Sequence, residues 1–178
     1  MNTLIVNLLS GPGAGKSTFA AALFAELKFY GTDVELAPEY AKDLVWEKRH
    51  KTFEDQIYMF GKQYHRINRL IGQVEVIVTD SPILLTPIYD GLKRKTLEKL
   101  VLEEFNKNRN YNIFLNRKKK YVEKGRNETE EQAKEVDKRI KKFLNDNDIS
   151  YQELDGTKEH VKHAARVVFE KIGVSNTF

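Results

Sequence analysis

The sequence contains no cysteine, which excludes disulfides and any chemistry that requires a thiolate. Nowhere do about 18 apolar residues follow one another, the length needed for a membrane-spanning helix. No basic segment precedes the short apolar run at the N-terminus. These absences predict neither a transmembrane span nor a signal peptide. We therefore expect a cytoplasmic protein that does not interact with membranes.

Charge of one sign is not in large excess either. The 30 lysines and arginines face 26 aspartates and glutamates, so the formal net charge is +4. Such a mild basic bias is compatible with an anionic substrate, but it more often reflects a solvated surface. The length suits one domain large enough to bury a core, and we predict a single domain at residues 1–178.

Short apolar runs alternate with segments of helical periodicity along the chain. The clearest helical pattern consists of Phe53, Ile57, Phe60, Tyr64, Ile67 and Ile71, spaced by four or three residues. Strands are predicted at residues 3–9, 34–37, 75–79, 111–115 and 151–154. This alternation is typical of a three-layer α/β fold, in which a parallel five-stranded sheet lies between helices.

A glycine-rich loop, SGPGAGKS at residues 10–17, joins the first predicted strand to a helical pattern. It nearly matches G-x-x-x-x-G-K-[ST], the P-loop motif, with Ser10 in the first glycine position. Pro12 has no N–H group, so the amides that point at phosphate oxygens must come from residues 13–18. The alternative is a glycine turn with a chance Gly-Lys-Ser sequence. The preceding strand and following helix are the context that the motif requires.

The loop also predicts which residues bind the nucleotide. Lys16 is expected to reach the β- and γ-phosphates of ATP, and the Ser17 hydroxyl to bind Mg²⁺. The positive N-terminal end of the following helix adds to phosphate binding. The predicted ATP-binding set is Gly11, Gly13, Ala14, Gly15, Lys16, Ser17 and Thr18.

Asp80 follows the apolar run VIVT and is the second predicted residue of the magnesium site. A carboxylate at the end of a buried strand can hold the hydration shell of Mg²⁺ near Ser17. The alternative is a turn that ends the strand, because Asp-Ser-Pro is also a turn sequence. The glycine loop favours the metal role.

Two classes of nucleotide-binding machine are disfavoured. A guanine-binding switch needs an Asn-Lys-x-Asp stretch after a late strand, whereas FLNRKKKY contains no acid. A D-x-x-G switch loop is also missing, because Ser-Pro-Ile follows Asp80. The chain is too short for the second domain of a motor. Transfer of a phosphoryl group to a small acceptor is the class that is left.

The segment after the second predicted strand, PEYAKDLVWEKR, is the expected acceptor site. Glu39 lies at the same predicted sheet edge as the loop, where a carboxylate can take the proton of an attacking hydroxyl as general base. Tyr40, Asp43 and Trp46 can frame a flat ring by stacking and hydrogen bonding. The alternatives are a helix-dipole role for Glu39 and a core position for Trp46.

Residues 117–130 are rich in basic residues and are predicted to form a lid over the triphosphate. Arg117 and Arg126 are the preferred catalytic cations, because a planar guanidinium matches phosphate oxygens better than an ammonium does. In related chemistry an arginine of this kind accelerates transfer by about 10³–10⁵. The alternative is a solvated loop whose charges are balanced by nearby acids.

Four stretches together resemble a known family: GPGAGKST, PEYAKDLVWEKR, TDSPILL and YVEKGRNETEEQAKEVDKRI. Over nearly its whole length the chain is similar to small P-loop kinase-like proteins grouped with the nicotinamide riboside kinase domain. Many of these are encoded by tailed bacteriophages and labelled AAA family ATPases. The resemblance implies that Lys16 and Ser17 serve ATP and Mg²⁺. It likewise implies that Asp80 serves the metal, Glu39 the acceptor and Arg126 the lid.

The predicted function is therefore an ATP- and Mg²⁺-dependent phosphotransferase acting on a nucleoside or nucleotide. The close alternative is phosphorylation of 5-hydroxymethyluracil within DNA, as similar kinases perform in phages with hypermodified thymidine. In that case the lid and the basic cluster at residues 48–51 would grip DNA phosphates. A third alternative is a nucleotide-binding regulator without catalysis. A phage origin would place the protein in the host cytoplasm.

Overall fold

The computed structural model describes residues 2–118 and 129–174. Within them the strands are β1 (Leu4–Leu9), β2 (Val34–Ala37), β3 (Val76–Thr79), β4 (Arg109–Asn116) and β5 (Gln152–Asp155). The α-helices of the same residues are α1 (Lys16–Phe29), α2 (Tyr40–Trp46), α3 (Gln56–Asn68), α4 (Thr86–Tyr89), α5 (Lys95–Asn106), α6 (Glu130–Asp146) and α7 (Lys158–Ile172). Short 3₁₀ helices cover His50–Glu54 and Ile83–Leu85. None of the helices in this described part combines the length and hydrophobicity of a bilayer-crossing segment.

The strands form one parallel sheet in the order β2-β3-β1-β4-β5. The central strand β1 is buried along its whole length, which explains why its sequence is an almost unbroken apolar run rather than an alternating one. Parallel neighbours cannot be joined by tight hairpins, so helical segments must cross over between them. The predicted parallel five-stranded α/β sheet is confirmed.

Two hydrophobic clusters cover the two faces of the sheet. One contains Leu23 of α1 and Val168 of α7. The other contains Phe60 of α3, Val101 of α5 and Ile140 of α6. The sheet is therefore the middle of three layers, as predicted, and its carboxyl edge is left open for the loops that follow each strand.

The observed element bounds differ slightly from those read from the sequence. β2 has the predicted bounds. β4 begins two residues earlier, because the backbone of Arg109 pairs with Leu4 beyond the apolar run. Helix α6 begins at a side-chain cap on Thr129. Its hydroxyl accepts from Gln132 N at 3.3 Å while Thr129 N donates to Gln132 Oε1 at 2.8 Å, the reciprocal pair of a capping box.

The predicted lid falls largely on residues 119–128, which lie outside the described residues, as Arg126 does. Its two described flanks are the end of β4 and the start of α6. On the first flank, Lys118 Nζ lies 3.7 Å from Asp155 Oδ2 at the end of β5. The lid itself stays a prediction.

Candidate active site

The glycine loop leaves the central strand and winds into α1 at Lys16. Gly13 and Gly15 have φ angles of 80° and 99°, values in the left-handed region that only glycine adopts readily. Gly15 occupies the N-cap position of α1 without a side chain to cap it. The first-turn amides of α1 are therefore available to an anion at the positive end of the helix.

Lys16 folds back over the loop that carries it. Its Nζ donates to the carbonyl oxygens of Ser10 at 2.8 Å and Gly11 at 3.1 Å. Burial lowers the pKa of the Lys16 ammonium, while the nearby carboxylates of Glu39 and Asp80 act in the opposite direction. An ammonium held in such a desolvated place interacts strongly with added negative charge.

Asp80 lies at the end of β3, and only 6% of its surface is exposed. Burial raises the pKa of the Asp80 carboxyl, and the Lys16 charge opposes that rise. Its Oδ1 accepts a hydrogen bond from Glu39 N at 3.0 Å. This bond ties the end of β3 to the start of α2, so the two carboxylates predicted to serve the metal and the acceptor are brought together.

Glu39 is the N-cap residue of α2, but its side chain does not cap the helix. It is half-buried and follows β2, whose neighbour in the sheet is β3. Its carboxylate lies near enough to Lys16 to affect the pKa of that lysine. The structure thus brings together Lys16, Glu39 and Asp80, while the predicted role of Glu39 as general base remains a prediction.

The three residues predicted to frame an acceptor ring occupy different positions on α2. Tyr40 N donates to Gln63 Oε1 at 2.9 Å, and Asp43 forms an ion pair with Arg66, so both fasten α2 to α3. Trp46 is 75% exposed at the last residue of α2, which rules out the alternative that it belongs to the core. Contact of these side chains with an acceptor stays a prediction.

Arg117 lies against the glycine loop. Its Nη1 donates to Pro12 O at 2.7 Å, and its Nε and Nη2 donate to Asp137 Oδ2 at 3.2 and 2.9 Å. Only 9% of the Arg117 side chain is exposed. In this conformation the guanidinium supports the loop from the end of β4, together with Asp137 of α6. Its predicted role on the transferring phosphoryl group is untested.

Asp137 of α6 also holds the loop directly, because its Oδ1 accepts from Gly11 N at 2.5 Å. Gly11 packs so closely on α6 that an added Cβ would lie 2.5 Å from Ala133 O. The amide of Gly11 is therefore occupied by a protein carboxylate. This close approach is one that only glycine permits, and the predicted part of Gly11 in ATP binding stays a prediction.

Sequence analysis missed Asp137, Arg66 and Gln63. A signal existed for Asp137, which lies on the same face of α6 as the buried Ala133 and Ile140, and an acid in an apolar stripe needs a partner. No comparable signal marked Arg66 or Gln63, because polar residues on an amphipathic helix ordinarily face water.

The sequence profile of the family described as AAA domain matches residues 6–161 of the chain. The chain belongs to this family. The match spans the glycine loop, β1 to β5 and most of the helices between them. Among curated proteins, no sequence matches this AAA domain.

Solved structures resemble this AAA domain in fold. A NadR protein in complex with NR has a TM-score of 0.75 and 18% identity, over 99% of this chain and 53% of its own. This chain thus spans about half the length of that NadR chain. A deoxyadenosine kinase from M. mycoides, with the products dCMP and dCDP bound, has a TM-score of 0.54 and 19% identity, over 96% and 100%. At such identities the likeness shows the α/β fold alone.

The side chains of this AAA domain suit Mg²⁺ bound together with a nucleotide. No group of three or more His, Asp or Glu residues in the described part of the chain is placed to hold a metal ion unaided. Mg²⁺ does not need such a cage, since phosphates and waters fill most of its coordination sites. Ser17 in the first turn of α1 and Asp80 after β3 supply the hydroxyl and carboxylate oxygens that this ion prefers.

Proposed function

We propose that this chain is an ATP- and Mg²⁺-dependent phosphotransferase whose acceptor is a nucleoside- or nucleotide-type molecule. The observation that carries the proposal is the meeting of Lys16, Asp80 and Glu39 at the carboxyl edge of the sheet. A cation for phosphate, a carboxylate for a metal and a carboxylate for an acceptor are the groups that phosphoryl transfer needs. In support, NadR has been solved with NAD and AMP-PNP and the deoxyadenosine kinase with dATP.

In the proposed reaction, an acceptor hydroxyl oxygen forms a bond to the γ-phosphorus of ATP. The bond from that phosphorus to the β,γ-bridging oxygen breaks, and ADP leaves with the electron pair. The hydroxyl proton passes to the Glu39 carboxylate, which contributes about 10²–10⁴ in rate as general base. Where the acceptor atom is a phosphate oxygen, no proton needs to be removed and Glu39 only orients the acceptor.

The remaining residues hold the triphosphate during transfer. The amides of residues 13–18 bind phosphate oxygens, and the Lys16 ammonium balances charge on the β- and γ-phosphates. Ser17 and Asp80 would hold Mg²⁺, which would supply positive charge against the phosphate oxygens. Arg117 supports the loop through Pro12 O, and Arg126 is the proposed cation of the lid.

Label transfer from γ-labelled ATP tests the proposal. The full chain is incubated with Mg²⁺ and with separate nucleosides, their 5′-monophosphates, and duplex DNA with and without 5-hydroxymethyluracil. We expect label on at least one nucleoside or nucleotide. Label on the modified DNA alone would support the DNA-base alternative. Tight ATP binding with no transfer to any acceptor would favour a nucleotide-binding regulator and overturn the proposal.

A further inference from the structure

An open cleft of about 570 Å³ lies between α2 and α3, beside the predicted acceptor carboxylate. Pro38, Tyr40 and Asp43 line one side of it. Pro38 and Tyr40 are the chain neighbours of Glu39, so the cleft opens next to the general base of the proposed reaction. Glu39 itself is not among the residues that line the cleft.

The opposite side of the cleft is strongly basic. Lys62, His65, Arg66 and Arg69 line it together, and their spacing of three or four residues places them on one face of α3 and its C-terminal end. Against them the cleft presents one carboxylate, that of Asp43. The lining thus carries three permanent positive charges and one negative charge.

Arg66 is held in a fixed position within this wall. It forms an ion pair with Asp43, donates from Nη1 to Pro38 O at 3.2 Å and lies with Cζ 5.1 Å from the centre of the Tyr40 ring. Lys62 and Arg69, by contrast, form no ion pair with any carboxylate of residues 2–118 and 129–174. The neutralised arginine therefore lies between two cations that no carboxylate of the described residues balances, although Lys62 Nζ lies 5.4 Å from the centre of the Tyr58 ring.

A solvated helix face does not account for this arrangement. On other helices several exposed lysines have acids three or four residues away, as Lys99 has Glu103 and Lys142 has Asp146. The sequence of α3, QIYMFGKQYHRIN, contains no acid at all. No acid on α3 itself can therefore balance Lys62 or Arg69, whereas Arg66 is paired with Asp43 of α2.

We propose that the cleft between α2 and α3 binds a phosphate group of the acceptor, so that the phosphoryl acceptor is a phosphorylated nucleoside and not a neutral or cationic one. This inference rests on the proposed function and names the substrate class of the same site. The acceptor phosphate contacts Lys62 and Arg69, while the other end of the molecule reaches Glu39. A pyridinium nucleoside carries a positive charge on its ring, so this wall would repel it.

Calorimetric titration of the full chain with a nucleoside and with its 5′-monophosphate tests the cleft without requiring turnover. The double variant Lys62→Gln, Arg69→Gln removes the two uncompensated charges. The matched control, Lys95→Gln, Lys99→Gln, removes two exposed charges from α5. We expect the wild type and the control to bind the monophosphate about tenfold more tightly than the double variant does. Equal affinity of the wild type for nucleoside and monophosphate, or an unchanged double variant, would overturn the inference.

A short single-stranded oligonucleotide distinguishes the two sources of a phosphate. Binding to several backbone phosphates makes the affinity depend steeply on salt. For each phosphate contact, the logarithm of the affinity falls by about 0.7 per tenfold rise in salt concentration. Tighter binding of the free monophosphate identifies a nucleotide acceptor, and tighter, salt-steep binding of the oligonucleotide identifies a strand. Either result supports a phosphate-binding cleft.

The two proposals fail in different ways. If no acceptor receives label while the monophosphate still binds through Lys62 and Arg69, the phosphotransferase proposal fails and the phosphate-binding cleft stands. If nucleosides receive label and the double variant transfers to monophosphates with an unchanged KM, the enzyme proposal stands and the cleft proposal fails.

Discussion

At the scale of single residues, the site is defined by buried charges of opposite sign. Lys16 lies among the carboxylates of Glu39, Asp80 and Asp137, all of which favour its charged form against the effect of burial. Removing charged groups from water is expensive unless they are paired, and the protonation state of such groups follows their surroundings closely. The charge on Lys16 therefore depends on pH and on what binds beside it.

Burial lowers the pKa of Lys16 from its ordinary value of 10.5, and this predicts how ATP affinity varies with pH. A polyanion binds the protonated amine, so affinity falls as pH rises through the lowered pKa, by up to about tenfold per pH unit. The phosphates are fully ionised above about pH 8 and contribute no change there. Titrations of ATP between about pH 8 and pH 10 measure the effect. Lys16→Arg stays charged throughout and should give a flat profile. Parallel curves for the two proteins would contradict the prediction.

Glu39→Gln should slow phosphoryl transfer to a hydroxyl by about 10²–10⁴ while ATP still binds, since an amide cannot accept the proton. The substitution keeps the Glu39 N to Asp80 bond, which uses only the backbone. Single-turnover transfer and ATP titration measure the two properties separately. Glu35→Gln, in the preceding strand and paired with Lys28 at 3.6 Å, is the control and should transfer normally. Loss of ATP affinity in Glu39→Gln would reassign Glu39 to structure.

At the scale of elements, α6 supports the glycine loop from behind. Asp137 accepts from Gly11 N and from Arg117, and Arg117 in turn donates to Pro12 O. The backbone of α6 approaches Gly11 at a distance that no side chain allows. The loop geometry therefore depends on a helix far away in the sequence as well as on its own glycines.

Gly11→Ala tests this packing. The new methyl would lie 2.5 Å from the backbone oxygen of Ala133, so the loop or α6 must move, at about 1–3 kcal/mol in the free energy of unfolding. ATP affinity should fall as well. Gly61→Ala is the matched control, because Gly61 is in the interior of α3 with open space around it. It should raise the free energy of unfolding by about 0.5–1 kcal/mol. Urea unfolding of both variants measures these changes, and equal stability would contradict the contact.

The sequence predicted what short-range patterns encode. Apolar runs located the strands and the glycine spacing located the loop. The contact of Gly11 with Asp137 joins residues 126 positions apart, and no local pattern specifies it. Likewise, the association of Arg66 with Asp43 and Pro38 depends on how two helices pack after β2 and β3 have paired.

At the scale of the whole molecule, the sheet order places the segments that carry Lys16, Glu39, Asp80 and Arg117 at one edge. β1 is central, with β3 and β2 on one side and β4 and β5 on the other. Because all strands are parallel, the segments carrying Lys16, Glu39, Asp80 and Arg117 leave the sheet in the same direction. From β1 the chain crosses to β2 on one side of the sheet, and from β3 it crosses to β4 on the other side. Open α/β sheets bind ligands at the strand where the connections change direction in this way.

A ligand that joins these segments should stabilise the whole fold. At a Mg·ATP concentration of about 100 times its Kd, we expect about 2.7 kcal/mol of added stability. Thermal unfolding with and without Mg·ATP measures it as a rise in Tm. Mg·ATP should raise the Tm of the Gly11→Ala variant by less, because the glycine loop of that variant is displaced. An unchanged Tm of the wild type at saturating Mg·ATP would contradict nucleotide binding at this edge.

Trp46 is the only tryptophan of the chain, and it lies largely exposed at the end of α2, the helix that forms one wall of the cleft. Its indole emission therefore originates from a single known place. The indole absorbs at longer wavelengths than the eight tyrosines do, so its selective excitation in the unlabelled protein can report a change at that wall. The molecule thus carries its own spectroscopic probe.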